Sequence, residues 1–434
     1  MNPGIIPTLP IEGKLPTSSA LLEMLSLRCK ERNETLIPSL LSQHDAVLAG
    51  DVDTIDLSTA ENWSVKDSLL NRLQDTLDSL SDEDLAYSSG IGGCLKTRKL
   101  MSELLNHNFR PVESVTASHI VLAAGGSFAL TALMEQICDP GDGILIATPY
   151  WAGLDISISI HCHARIIPVN VPLDKFFCSE SIQYYESSLD NASIPIKAIL
   201  ICNPHNPLGQ CYPRETIQAM QDFCKRKQLH YISDEVYALS LHQPAPGGFV
   251  PFVSALEIKS KEISDQVHII YSLSKDFGCS GIRLGALITQ SNNAVRLSAA
   301  LSVHSQVSTL STSLATKKIL TPDTVRQISE KRGQKLNEAY QVIRSFLEKH
   351  NMEFIPVSYG MFVFARVCKI SDIDAEQKLL GCLKARGVSV STGTSYHFQE
   401  PGWFRICYGV PLDQLHEGLK RLECGVQDYL YNGT

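Results

Sequence analysis

Between residues 118 and 290 the chain alternates short apolar, β-branched runs with stretches of helical spacing. The runs are His119 to Ala123, Gly143 to Thr148, Lys197 to Cys202, His230 to Asp234, Val267 to Ser272 and Leu284 to Thr289. Between the third and fourth, Pro213 opens a segment whose apolar positions Ile217, Met220 and Phe223/Cys224 recur as on one helix face, with a proline suited to the first turn. Strand, helix and strand in repetition predict a mainly parallel sheet with helices on both faces. Ligands of such sheets gather at the carboxyl ends of the strands. The stretch Ile156-Ser-Ile-Ser-Ile-His161-Cys162-His163-Ala-Arg-Ile-Ile alternates strongly enough to predict one more strand, with both histidines on one face.

The flanks read differently. Residues 1–80 are helix-like and rich in Leu, Ser and Asp, without strand repeats. A long charged helix is predicted from Asp323 to His350, followed by a strand over Met361–Val367. The expected division is an N-terminal arm with part of a small domain over 1–80, a large domain over 81–321, and a C-terminal small domain over 322–434. With 434 residues and 44 % hydrophobic content, the chain can bury two such cores.

Charge narrows the function. A formal net charge of −8 argues against a broad nucleic-acid footprint, which needs clustered lysine and arginine. No apolar run reaches the length of a membrane span. The opening Met1-Asn-Pro-Gly-Ile-Ile-Pro lacks the basic start and apolar core of a secretory signal, so the cytosol is the expected compartment. The 13 cysteines are scattered and form no Cys-x-x-Cys pair, which speaks against a disulfide framework. His161 and His163 are two ligands without a clear third, so no metal is expected.

Candidate chemistry clusters where the predicted strands end. The segment Tyr271-Ser272-Leu-Ser-Lys275-Asp-Phe-Gly-Cys-Ser-Gly-Ile-Arg283-Leu-Gly places a lysine after an isoleucine-rich strand. Partial burial there lowers an amine's pKa and makes it a nucleophile toward an aldehyde. Gly125-Gly126-Ser127 precedes an apolar helix, whose free N–H groups suit a phosphate. Asn203-Pro-His-Asn206-Pro is a stiff turn that can aim its amides at a ligand. Asp234, closing its strand, can hold a pyridine nitrogen protonated, and Tyr237 is near enough in sequence to reach the same ring. Ser272 and Arg283 suit a phosphate, since guanidinium offers a bidentate fork. A pocket for a phosphorylated aldehyde with a protonated ring, captured by lysine, fits pyridoxal phosphate.

This combination resembles the class I/II aminotransferase family of fold-type I pyridoxal phosphate enzymes. Within it, Ala60-Glu61-Asn62, Tyr271-Ser-Leu-Ser-Lys-Asp-Phe-Gly and Ser395-Tyr-His-Phe-Gln-Glu-Pro-Gly-Trp-Phe-Arg405-Ile-Cys-Tyr are similar to 1-aminocyclopropane-1-carboxylate synthases. The segment from Tyr87 to Gly93 departs from the plant enzymes and is similar to fungal synthase-like proteins. The motifs run from about residue 56 to 409. The resemblance implies an α/β fold: a large, mostly parallel-sheet domain with helices on both faces, plus a smaller α+β domain.

It also implies roles. Lys275 takes the cofactor aldehyde and later moves the substrate α-proton. Asp234 pairs with the ring nitrogen, and Asn206 and Tyr237 bind the ring hydroxyl. Ser272, Arg283 and the amides of Ser127 and Phe128 hold the phosphate, although Phe128 stands where many relatives carry a small hydroxyl residue. Trp151 stacks on the ring, with neighbouring Tyr150 as the alternative. Arg405 clamps the substrate carboxylate and Glu61 contacts the substrate. Tyr87 reaches across a dimer interface, which implies a homodimer with shared active sites.

The expected activity is an aminotransferase of specialised (secondary) metabolism. A carbon–sulfur lyase or a cyclopropane-forming elimination is the alternative, since all use the same residues. A non-catalytic binding protein on this fold is a remote alternative. Ser272-Leu-Ser-Lys275 also fits the Ser-x-x-Lys of penicillin-recognising enzymes, but the accompanying Ser-Asp-Asn and Lys-Thr-Gly do not occur.

Overall fold

The computed structural model describes residues 24–36, 53–74, 76, 80–87, 90–242, 249–258 and 264–432. The Met1–Pro7 stretch and much of the helix-like expectation for residues 1–80 lie outside them. After a short helix (Leu27–Glu31), the N-terminal flank carries a short strand, β1 (Ile55–Asp56). Seven strands follow: β2 (Ile120–Ala123), β3 (Gly143–Thr148), β4 (Arg165–Asn170), β5 (Ile196–Cys202), β6 (His230–Asp234), β7 (Val267–Ser272) and β8 (Gly285–Ile288). They form one sheet in the order β2-β8-β7-β6-β5-β3-β4, parallel throughout except for the two pairings made by β8.

The sheet is buried on both faces, as parallel sheets require. Alternate side chains divide between two cores. Val121, Ile144, Ile146, Leu200, Ile232, Ile270 and Leu287 face the helix Gly126–Ile137. Leu122, Leu145, Ile199, Ile201, Tyr231, Ile269 and Tyr271 belong to the core on the other face, which also holds Ile217, Met220 and Phe223 of the helix Arg214–Lys227. The predicted period is therefore present, with Pro213 one residue before the helix rather than inside its first turn.

The alternating stretch 156–167 is not the predicted strand. Ile156–His161 forms a π-helical turn, and extended pairing begins only at Arg165. The cause is topological. Strands β3 and β4 are parallel neighbours, with Gly143 opposite Arg165, so the residues between them must cross over the sheet. Ser157 and Ile158 are buried within that crossover. His161 lies against the Phe128 ring at 5.9 Å, while His163 adopts a left-handed φ of 56°. The two histidines do not share a strand face. No group of three His, Cys, Asp or Glu able to hold a metal occurs among the described residues.

A second core is built mainly from residues beyond 322, with Leu57, Ala60 and Tyr237 joining it. Strands β9 (Glu353–Phe354) and β10 (Phe362–Arg366) precede β11 (Val388–Ser389), β12 (Ser391–Thr392) and β13 (Trp403–Cys407). The antiparallel order is β12-β13-β10-β9, and β11 pairs in parallel with β1, tying the N-terminal flank to this region. The long helix Pro322–Lys349 begins where the Thr321 side chain accepts from the Thr324 amide. Its inward stripe runs Thr324, Ile328, Arg332, Leu336, Tyr340, Ile343 and Leu347. Ile328 belongs to the main core and Leu336 to the second, so one rigid rod serves both.

Candidate active site

Strands β2, β3, β5, β6 and β7 all run in one direction, and β8 returns against them. Gly285 therefore starts β8 opposite the ends of both β2 (Ala123) and β7 (Ser272). This topology delivers Ser127, Trp151, Asn206, Asp234, Tyr237, Ser272, Lys275 and Arg283 to one end of the strands, from five connections.

The glycine-rich turn is shaped by contact. Gly125 has a φ of +93°, and a Cβ there would run into the Arg283 guanidinium. A Cβ on Gly285 would strike the Gly125 backbone. Arg283 donates from Nη2 to the Ala124 carbonyl at 3.0 Å and from Nη1 to the Ser280 carbonyl at 3.0 Å. Beside it opens the helix Gly126–Ile137, whose first-turn N–H groups have no partner inside the helix. Ser272 is buried, and its hydroxyl oxygen accepts from the Ser274 amide at 3.1 Å, capping the turn that carries the lysine.

Lys275 follows on the four-residue helix Leu273–Asp276. Its Nζ donates to the Ala60 carbonyl at 2.6 Å. Burial lowers its pKa, while the nearby Glu61 carboxylate pulls the other way. The N-terminal flank reaches here as a strap. Asn62, fully buried, donates from Nδ2 to the Lys275 carbonyl at 3.0 Å. The Trp63 amide donates to the Gly409 carbonyl at 2.7 Å. Glu61 accepts from the Ser280 hydroxyl at 2.7 Å and lies 3.4 Å from the Lys66 ammonium.

Asp234 ends β6 with its carboxyl enclosed by protein, which pushes its pKa up to about 7. Its one hydrogen bond is a long 3.4 Å contact from the Val236 amide. Tyr237 is buried, edge-on to Phe362 at 5.3 Å. Arg405, on β13, is also buried. It donates from Nη1 to Asn206 Oδ1 at 3.0 Å and from Nη2 to the Ser58 carbonyl, leaving Nε without a partner. Phe362 and Tyr396 flank its guanidinium at 5.2 and 5.1 Å.

The two aromatics after β3 part company. Tyr150 is buried, stacked on His397 at 4.3 Å, with its hydroxyl donating to Asp155 at 3.0 Å. Asp155 also meets His397 Nε2 at 2.9 Å. Trp151 keeps 40 % of its surface open. Tyr87 stands apart at 94 % exposure, with no hydrogen bond or ring contact to the other candidates among the described residues.

Sequence reasoning missed Asn62, Tyr396 and the two strap carbonyls. Asn62 and Tyr396 lie inside segments already singled out, so their positions were signalled but not their contacts. The carbonyls carry no side-chain signature.

Known proteins resemble this chain in sequence and in fold. Residues 53–422 match the family model for aminotransferase class I and II. A probable aminotransferase, tcpI, of Claviceps purpurea is 50 % identical over 94 % of this chain and 97 % of its own length. A second, sirI of Leptosphaeria maculans, is 42 % identical over 92 % and 97 %. The 1-aminocyclopropane-1-carboxylate synthase 5 of Arabidopsis thaliana is 29 % identical over 85 % and 80 %. In fold, a double mutant of Thermus thermophilus aspartate aminotransferase superposes with a TM-score of 0.73 at 19 % identity, over 92 % of this chain and 98 % of that one. The chain belongs to the class I and II aminotransferases, a family of pyridoxal-phosphate-dependent enzymes.

Proposed function

We propose that this protein moves an amino group from an α-amino acid to a 2-oxo acid in specialised metabolism, with pyridoxal phosphate held at one end of the strands of the main sheet. The observation that carries the reading is the convergence of three charged groups without matching partners, Arg405 buried and Lys275 and Asp234 half-buried. Lys275 spends its amine on a backbone carbonyl, Asp234 has a weakly bonded carboxyl, and Arg405 has an unpartnered Nε. Pyridoxal phosphate fits this set. A ring cation suits Asp234, an aldehyde suits Lys275, and the side-chain-free backbone of Gly125 leaves Arg283 room beside the helix N-terminus.

When bound, the cofactor supplies an aldehyde and an electron-accepting ring. The chain supplies the rest. Lys275 Nζ, its pKa lowered by burial, is the nucleophile for the aldehyde and then the base at the substrate α-carbon. Asp234 holds the proton on the ring nitrogen. Ser272, Arg283 and the amides of Ser127 and Phe128 take the phosphate, while Asn206 and Tyr237 face the ring hydroxyl. Trp151 is the ring-stacking aromatic, since Tyr150 is committed to His397 and Asp155. Arg405 clamps the substrate carboxylate, and Glu61 stands at the substrate's edge.

Tyr87 acts in a second copy of the chain. It lies among exposed apolar side chains, Leu85 at 76 % and Ile91 at 59 %, a pattern that marks an interface. Sedimentation should give twice the 47.8 kDa chain mass. Among the described residues no helix is long and apolar enough to cross a membrane, and the cytosol is the compartment we propose.

To test the reaction, the enzyme is incubated with an amino-acid panel and a 2-oxo acid acceptor, and products are read by mass spectrometry. Transfer of the amino group supports the proposal; release of ammonia with pyruvate or a thiol replaces it with a lyase.

Two pH-linked outcomes are expected. Asp234 is raised in the fold from 3.8 to about 7, so the cofactor-free protein loses stability as pH climbs through that window. A cation on the carboxylate removes that loss. The gain in Tm on adding pyridoxal phosphate should therefore be larger at pH 8 than at pH 5, and an equal or smaller gain would count against Asp234 as the partner. Second, Glu61 favours the charged form of Lys275. Glu61→Gln should shift the pH midpoint for uptake of the cofactor aldehyde downward, measured as the rate of appearance of the visible band.

A further inference from the structure

Lys275 sits on a helix of one turn, Leu273–Asp276, too short to hold its own geometry. What holds it comes from the next residue. Asp276 is fully buried and accepts at Oδ2 from the Leu239 amide at 3.1 Å and the Tyr271 hydroxyl at 3.0 Å. Its backbone carbonyl accepts from Arg332 Nη1 at 2.6 Å, and Arg332 Nη2 donates to the Leu239 carbonyl. Arg332 is only 2 % exposed and stands on the inward stripe of the long helix, between Ile328 and Leu336.

The connections have a direction. Leu239 lies two residues beyond Tyr237 on the loop that begins at Asp234. Asp276 and Arg332 therefore fasten the lysine turn to the loop carrying Asp234 and Tyr237, and both to the helix shared by the two cores. Neither charge is fully used, since Asp276 Oδ1 and Arg332 Nε have no partner. The guanidinium meets the Asp276 backbone carbonyl rather than its carboxylate, and buried charges held this way are weak evidence for stability. What they supply instead is fixed hydrogen-bond geometry at the residue next to the reacting amine.

We propose that Asp276 and Arg332 are positioning residues for Lys275, setting the amine's location relative to Asp234 and Tyr237. This rests on the assignment of Lys275 as the cofactor-bearing lysine. Without the bracket the turn loosens and water reaches the amine. Glu61, Asp234, Arg283, Arg405 and Cys407 remain as the charged and titratable groups around it.

The test uses the full-length protein, stripped of cofactor and re-supplied with pyridoxal phosphate across a pH series. The rate at which the visible band appears reports the protonation midpoint of Lys275. In Asp276→Ala the midpoint should rise by about one unit, slowing uptake near pH 7 about tenfold. Turnover should fall by about 10²-fold, as expected for a displaced reacting group, while KM stays within about twofold because Arg405 is untouched. Asp276→Asn, whose amide oxygen can accept the same two bonds, should stay near wild type in both. Tyr271→Phe should move the midpoint in the same direction by a smaller amount.

A folded Asp276→Ala protein with wild-type midpoint and turnover overturns the inference. Should that variant fail to fold, the same wild-type values in Tyr271→Phe overturn it. A wild-type protein that never develops the visible band removes the underlying cofactor assignment instead, so the two failures are distinct.

Discussion

Lys275→Ala should stay colourless in the presence of pyridoxal phosphate and lose at least about 10⁴-fold in turnover. Two functions disappear with one side chain. On the proposed assignment, the amine that would take the aldehyde is gone, and so is the group that would move the substrate's α-proton. Positioned proton transfer alone typically contributes about 10²–10⁴-fold, so the combined loss belongs at or beyond the top of that range. Wild-type protein should bleach on borohydride treatment as the link to the lysine is reduced. Stability should not suffer. The amine is enclosed, with its pKa lowered by that enclosure, and only the Ala60 carbonyl loses a donor. A coloured, borohydride-sensitive Lys275→Ala protein would transfer the role to another lysine.

Arg405→Ala should leave the visible band intact and lower kcat/KM by about 30-fold to several-thousand-fold, the cost of about 2–5 kcal/mol for truncating one partner of a buried charge pair. The size follows from the surroundings. The guanidinium is buried between Phe362 and Tyr396, where a carboxylate would meet little competition from water. Its fork is already aimed by Asn206 and the Ser58 carbonyl, so a substrate finds it ordered. Arg405→Lys should recover little, because an ammonium cannot offer two parallel N–H groups. Unchanged kinetics with an intact band would remove Arg405 from the substrate site.

The main sheet was legible because its strands are buried on both faces and so appear as unbroken apolar runs. The runs at 143–148, 230–234 and 267–272 coincide with strands residue for residue. The failure at 156–167 shows what period alone omits. Alternation at Ile156, Ile158 and Ile160 is compatible with a strand, but parallel pairing of β3 with β4 consumes those residues as crossover.

Ser127, Asn206, Asp234, Tyr237, Ser272, Lys275 and Arg283 could be singled out as candidates because strand ends and glycine turns announce themselves, whereas Trp151, Arg405 and Glu61 came only from the family resemblance. Arg332 was legible in principle, as a charge four residues from Ile328 and four from Leu336 on an apolar stripe, but surface helices carry so many charges that one pointing inward is easily passed over. The partners of Lys275 and Arg405 in the strap were not legible. They are main-chain oxygens of Ala60 and Ser58, and every residue but the amide's own geometry looks alike at that level.

Because the strap meets both cations through carbonyls, the half-buried Ser58 side chain can vary without removing an acceptor from either, while Ala60 is held to a small size by the second core. Drift in this stretch can remodel what the site admits while the resting contacts of Lys275 and Arg405 are inherited unchanged. New substrate preferences can accumulate there ahead of any loss of the chemistry.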